Sequence, residues 1–257
     1  MNLVKKEKTV FILVLLISLV MTVTIFSFDP IAQPIVYHNF ADQNSYLNIP
    51  NFFDFISNLP FIVVGVLGLY HLKRAHCQIL STMRVAYYIF FIGVTLVGFG
   101  SAYYHFWPDN VTLVWDRLPM TIAFMALFSF VIGEFISQKI AHKLLYPLLL
   151  IGLFSVVYWA WSESHGAGDL RVYILVQFVP MIVMPIILLT FKSSFTHTQG
   201  YWFLLLAYLA AKLLEHFDGE VYAFLGVISG HSLKHLAAAL GIYLFLLSLK
   251  ERKLSTL

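Results

Sequence analysis

Cysteine and charge are what this chain has least of. One cysteine, Cys77, in 257 residues excludes an internal disulfide and any cysteine-based zinc knuckle, so a bound metal has to rest on histidine and carboxylate groups. Cys77 itself is expected to pack or to face a loop. Charged residues make up 11% of the chain and hydrophobic residues 60%, against about 25% and 45–50% in soluble domains. That balance excludes a water-soluble globular domain and makes lipid the solvent. No internal repeat, low-complexity tract or long polar segment is present, which leaves one helical bundle with short loops. Nor do the basic residues form a patch suited to nucleic acid.

What is present is a succession of apolar runs, each about 17–25 residues and long enough to cross a hydrocarbon core as a helix. Helices are expected near 10–28, 56–72, 85–105, 111–133, 144–161, 171–191, 201–216 and 224–249. The fold class is therefore all-α, a polytopic membrane helical bundle. With the amino terminus in the cytoplasm, the inner segments collect Lys5, Lys6, Lys8, Lys73, Arg74, Arg84, Lys139, Lys143, Lys192, Lys250, Arg252 and Lys253, which is 12 of the 16 basic residues. Arg117, Arg171, Lys212 and Lys234 remain for the other side. The positive-inside rule then places both termini in the cytoplasm and makes the helix count even. Lysines followed by an apolar run also describe an export signal, but Phe26–Pro30 lacks the small residues of a cleavage site, so an uncleaved anchor is expected.

Residues 29–55 mix aromatics with Asn, Gln and Asp, and Pro30, Pro34 and Pro50 interrupt any helix. They are expected to form an ordered cap outside the membrane. The division that follows is residues 1–50 as anchor and cap and 51–257 as a seven-helix unit.

Polar groups inside membrane helices are costly, about 2.5 kcal/mol or more for a central charge, and are expected to face the interior with a partner. Three clusters fall at the same outer depth. Ser101 and His105 stand four apart in GFGSAYYHF, Asp116 lies one turn into the next helix in VWDRLPM, and His231 and His235 stand four apart in SGHSLKHLAAALG. Residues at i and i+4 share a helix face, so His231 and His235 can offer one metal two nitrogens, with His105 the available third ligand. Three imidazoles leave a fourth position open, as in catalytic zinc sites. Asp116 is then placed to relay a water proton and Ser101 to donate to an oxyanion. Alone, HxxxH is as well explained by a proton relay or packing, Ser101 by close helix contact beside Gly98 and Gly100, and Asp116 by pairing with Arg117 or by capping. Lys212 and Glu215 can pair at i and i+3, and Glu215 and Asp218 are candidates to support the metal ligands from behind. Gly230 is placed to relieve crowding beside His231. Asp109 reads as a turn residue, and His38, His71, His76, His142, His165 and His197 as solvated.

Ser101 with His105, Asp116 with nearby Pro119 and Met120, and His231 with His235 together resemble the alkaline ceramidase family. That family lies within a superfamily of seven-helix membrane hydrolases that also contains adiponectin-receptor-like proteins. The likeness runs from about Ser57, through the SNLPF of Ser57–Phe61, to the carboxyl end. It implies zinc on His105, His231 and His235, assistance from Asp116 and Ser101, and hydrolysis of the amide of ceramide or a related N-acyl lipid to a fatty acid and a sphingoid base. The partner implied is a membrane lipid, with the acyl chain in a cavity that the 24 phenylalanines are suited to line. Two departures stand out. Where eukaryotic members carry an acidic, Trp-containing calcium motif, this chain has NFADQNSYLNIPN. Its Asp42, Asn44 and Asn51 offer a single carboxylate, thin for a cation that takes about six to eight oxygens, and calcium is left unassigned. The additional amino-terminal helix points to a bacterial type of relative. Two competing readings are a zinc-binding receptor like the adiponectin-receptor branch, whose site is expected toward the cytoplasm, and a haem or proton carrier using His105 and a last-helix histidine.

Overall fold

In the computed structural model, residues 3–255 are described; the side chains of residues 3–7 and 10, Lys5 and Lys6 among them, lie outside that description. The chain forms α1 (Leu3–Phe26), α2 (Phe52–Ile56), α3 (Leu59–Lys73), α4 (Arg84–Phe106), α5 (Asn110–Phe135), α6 (Gln138–Ser164), α7 (Arg171–Thr190), α8 (Gln199–His216), α9 (Asp218–Leu225) and α10 (Gly230–Glu251). By length and composition, the segments Phe52–Lys73, Ser81–Phe106, Asn110–Phe135, Gln138–Ser164, Arg171–Thr190 and Gly230–Glu251 can cross a membrane, and Phe11–Phe26 is a shorter apolar helix. The expected all-α membrane bundle is the fold observed.

Local chemistry sets the helix limits. Asp109 accepts from the Thr112 backbone N–H at 2.7 Å and the Asp109 N–H donates back to Thr112 Oγ1, a capping box that starts α5. The same bond beside Asp109 holds its carboxyl below the usual carboxylate range. Ser137 caps α6, so that helix begins at Gln138 rather than near 144. The last expected helix, 224–249, is two: α9 ends at Gly226, which takes φ +73, and Ser229 then caps α10 by accepting from the Ser232 N–H.

Helix α4 packs between α3 and α5, α5 also meets α6 and α7, and α10 packs on α8 and α3, with α1 lying against α7. Ile12, Leu16, Leu19 and Val23 of α1 are exposed, as lipid-facing positions should be. Gly100 lets α4 and α5 approach so closely that a Cβ there would collide with the Trp115 carbonyl oxygen. Ser101 and Asp116 are therefore brought side by side. At the end of the bundle where α10 closes, Arg252 pairs with Glu134 at 2.7 Å, both side chains essentially buried, and lies 4.1 Å from the Phe195 ring centroid. Tyr87 donates to the same carboxylate. Between this clamp and the opposite end, Phe90, Phe130, Tyr201 and Phe245 fill the core through edge, stacked and tilted contacts.

Candidate metal centre

His105 on the last turn of α4 and His231 and His235 on the first two turns of α10 meet at one end of the bundle. They are 1%, 5% and 6% exposed, and their ring centroids lie 4.8, 5.1 and 5.1 Å apart, nearly an equilateral triangle. One ring nitrogen from each falls within 4.8 Å of the other two. His105 Nδ1 and His231 Nε2 are buried without a hydrogen-bond partner, an arrangement that costs about 1–3 kcal/mol per group unless a ligand takes up the lone pair. The donor set and its orphaned nitrogens fit a metal ion.

The surroundings pin each histidine. Ser57 Oγ lies 2.8 Å from His235 Nδ1 and donates to the Asp54 carbonyl at 3.0 Å. Asp54, fully buried on α2, accepts from Ser229 and Ser232 at 3.0 and 2.5 Å and so ties α2 to the start of α10. The Asn51 amide donates to the His105 carbonyl at 2.9 Å. Asp218 accepts from the His231 backbone N–H at 2.7 Å and from the Ala41 N–H at 3.0 Å. Gly230 admits the Leu214 carbonyl where any Cβ would collide, as its place beside His231 suggested.

The cap reaches the centre directly. The Phe40 ring lies 4.7 Å from both His105 and His231. His38 is not solvated as expected; its ring bridges Tyr104 at 2.9 Å and Asn110 at 3.0 Å, because the cap folds back over α4 and α5. Asp42 accepts from the backbone and side chain of Asn44, whose amide also reaches Tyr222. These bonds and that of Asn51 are where the three residues weighed for calcium are engaged.

A cavity of about 390 Å³ opens from the centre into the bundle. Ser101, Asp116 and His235 stand on its wall, with the Ser101 hydroxyl directed at the Asp116 carboxylate. Most of the remaining wall is apolar, including Phe90, Met184, Leu188 and Ile242. Arg117 does not pair with Asp116. It donates to Gln33 at 2.6 Å and lies 4.3 Å from the Trp159 ring, since consecutive helical residues point about 100° apart. Glu215 pairs with Lys212 as expected and also with Lys234, each at 2.6 Å. Sequence reasoning missed Asp54, Ser57, Ser229 and Ser232. Their one signal was polarity where SNL and SGHS meet helices otherwise made of apolar residues.

Fold and site together define a polytopic membrane protein with a buried three-histidine centre facing a lipid-sized apolar cavity. The sequence profile of the ceramidase family matches residues 38–255, and the chain belongs to that family. It is accordingly a membrane hydrolase of the ceramide-cleaving class. No curated protein matches the chain.

Proposed function

We propose that the protein is a zinc-dependent intramembrane amidase that hydrolyses the N-acyl amide of ceramide or a related N-acyl lipid to a fatty acid and an amine. The observation that carries this reading is the triangle of buried histidines at the polar end of an apolar cavity, with Ser101 and Asp116 on the same wall. His105, His231 and His235 hold the ion, which when bound supplies a Lewis acid that polarises the amide carbonyl and makes water nucleophilic near neutral pH.

The chain's own groups do the rest. The apolar cavity holds the acyl chain and excludes bulk water. As a water oxygen bonds to the carbonyl carbon, Asp116 accepts its proton. The same proton passes to the amine nitrogen as the C–N bond breaks, leaving a carboxylic acid and a free amine. Ser101 donates to the oxyanion that develops on the carbonyl oxygen. Asp218, through the His231 N–H, and Ser57, through His235 Nδ1, hold the ligands in place. Glu215 sets the two cavity lysines.

The reading extends to location. Both termini lie in the cytoplasm of a bacterial plasma membrane, residues 1–50 serve as anchor and cap, residues 51–257 form the catalytic unit, and the centre faces outward. The basic-residue asymmetry supports this orientation.

The test is metal analysis of detergent-purified wild type beside His231→Ala, followed by fatty-acid release from ceramide on the same samples. About one zinc per chain that disappears with the histidine, together with acid release, is the expected result. Absence of zinc from the wild type would overturn the reading.

A further inference from the structure

The charged residues on the cavity wall do not balance. Arg117, Lys212 and Lys234 face only Asp116 and Glu215, so one positive charge is in surplus. Glu215 is shared between both lysines, and the Tyr37 hydroxyl of the cap donates to it at 3.4 Å. Arg117 has no such partner. It is 6% exposed, and among the described residues no carboxylate lies within ion-pair distance of it. Its Nη2 reaches Gln33, but its Nη1 is buried with no hydrogen-bond partner. The rings of Trp159 and Tyr173, 4.3 and 4.7 Å from the guanidinium, orient it without supplying an acceptor. A buried arginine left one acceptor short, in a cavity whose side chains carry more positive than negative charge even before a metal ion adds its own, is suited to an oxyanion.

We propose that this cationic wall, beneath the cap at Gln33 and Tyr37, receives an anionic group on the amine half of the substrate, so that the preferred lipid is an N-acyl amino acid rather than neutral ceramide. The inference rests on the amidase reading above and deepens it. The apolar part of the cavity takes the acyl chain, the amide lies at the histidines, and the carboxylate of the amino-acid half meets Arg117 and the surplus lysine charge. A carboxylate presents two oxygens in the planar geometry that the guanidinium fork meets.

A matched pair of lipids tests it: N-palmitoylserine, and N-palmitoylserinol, in which a hydroxymethyl group replaces the carboxylate. Equilibrium binding of each is measured on zinc-loaded wild type, Arg117→Gln and Lys212→Gln, with amide cleavage followed on the same samples. The wild type is expected to bind the serine lipid about tenfold more tightly, with the preference falling several-fold in each variant. Lys212, partly exposed, serves where Arg117→Gln fails to fold. Equal binding of the two lipids, tighter binding of serinol, or a preference untouched in folded variants would overturn the proposal. Cleavage of serinol without charge preference would remove the subsite and leave the amidase. Charge preference without cleavage of either lipid would keep the subsite and remove the amidase.

Discussion

Ser57 has one hydroxyl proton, and the Asp54 carbonyl takes it. The contact with His235 Nδ1 must then run the other way, with the imidazole N–H donating to Ser57 Oγ, which leaves the Nε2 lone pair free for a metal. Ser57→Ala is expected to weaken zinc binding by about tenfold, while Ser57→Thr, which keeps the hydroxyl, restores it; zinc dissociation constants from a competing chelator measure both. Asp116 makes no such contact with a histidine, so Asp116→Asn should keep zinc near the wild-type level and lower amide turnover by about 10²–10⁴-fold. Zinc loss in that variant would place Asp116 in metal binding instead. The meeting of the three histidines, and of Ser101 with Asp116, was legible in the sequence because i, i+4 spacing is geometry that sequence carries, and because imidazole and carboxylate in apolar helices need a reason. Asp54 and Ser57 were not legible, since Asp and Ser at helix ends read first as capping groups and their partners lie more than 170 positions away.

Elements meet at two clasps of opposite character. At one end the Glu134–Arg252 pair joins α5 to the close of α10 with both partners buried, so removing one leaves an uncompensated charge. Arg252→Met is expected to destabilise the protein by about 3–5 kcal/mol, and Glu134→Gln/Arg252→Met by less than either single change; unfolding in detergent reads the difference. At the other end Arg171 pairs with Asp169 at 2.8 Å and donates to the Phe28 carbonyl just past α1. The Arg171 guanidinium beside Asp169 holds its carboxyl below the usual range. A carboxyl with a lowered folded pKa stabilises the fold above its ordinary value near pH 4 and loses that contribution as pH falls through the lowered one. Proteolysis near Phe28 should therefore be slow at neutral pH and rise below about pH 4, and in Arg171→Gln it should be fast at both. The spans were legible as elements because lipid demands unbroken apolar helices. The break at Gly226 was not, because a positive φ is a property of the folded chain and Val227 and Ile228 continue the apolar run.

The whole molecule is poised by its two ends, one holding the metal centre and the other the Arg252 clamp, and which end faces the cytoplasm decides where substrate enters. The sequence argues orientation from basic residues alone, a weak bias summed over many loops, so it calls for a direct measurement. Cys77 offers a quiet background: it is buried, and burial pushes its thiol up to about 11, which leaves little thiolate to react. Leu47, 85% exposed in the cap, and Leu254, 65% exposed after α10, mark the two ends of the bundle. In intact cells a membrane-impermeant maleimide is expected to label Leu47→Cys and to spare Leu254→Cys until the membrane is opened. The reverse pattern would turn the centre toward the cytoplasm and move its lipid supply to the inner leaflet. Because Leu47 sits in the cap whose Phe40 covers His105 and His231, the same labelled position reports on access. Zinc binding should slow its modification by ordering the cap over the centre, and a chelator should restore the rate, an effect that His235→Ala abolishes.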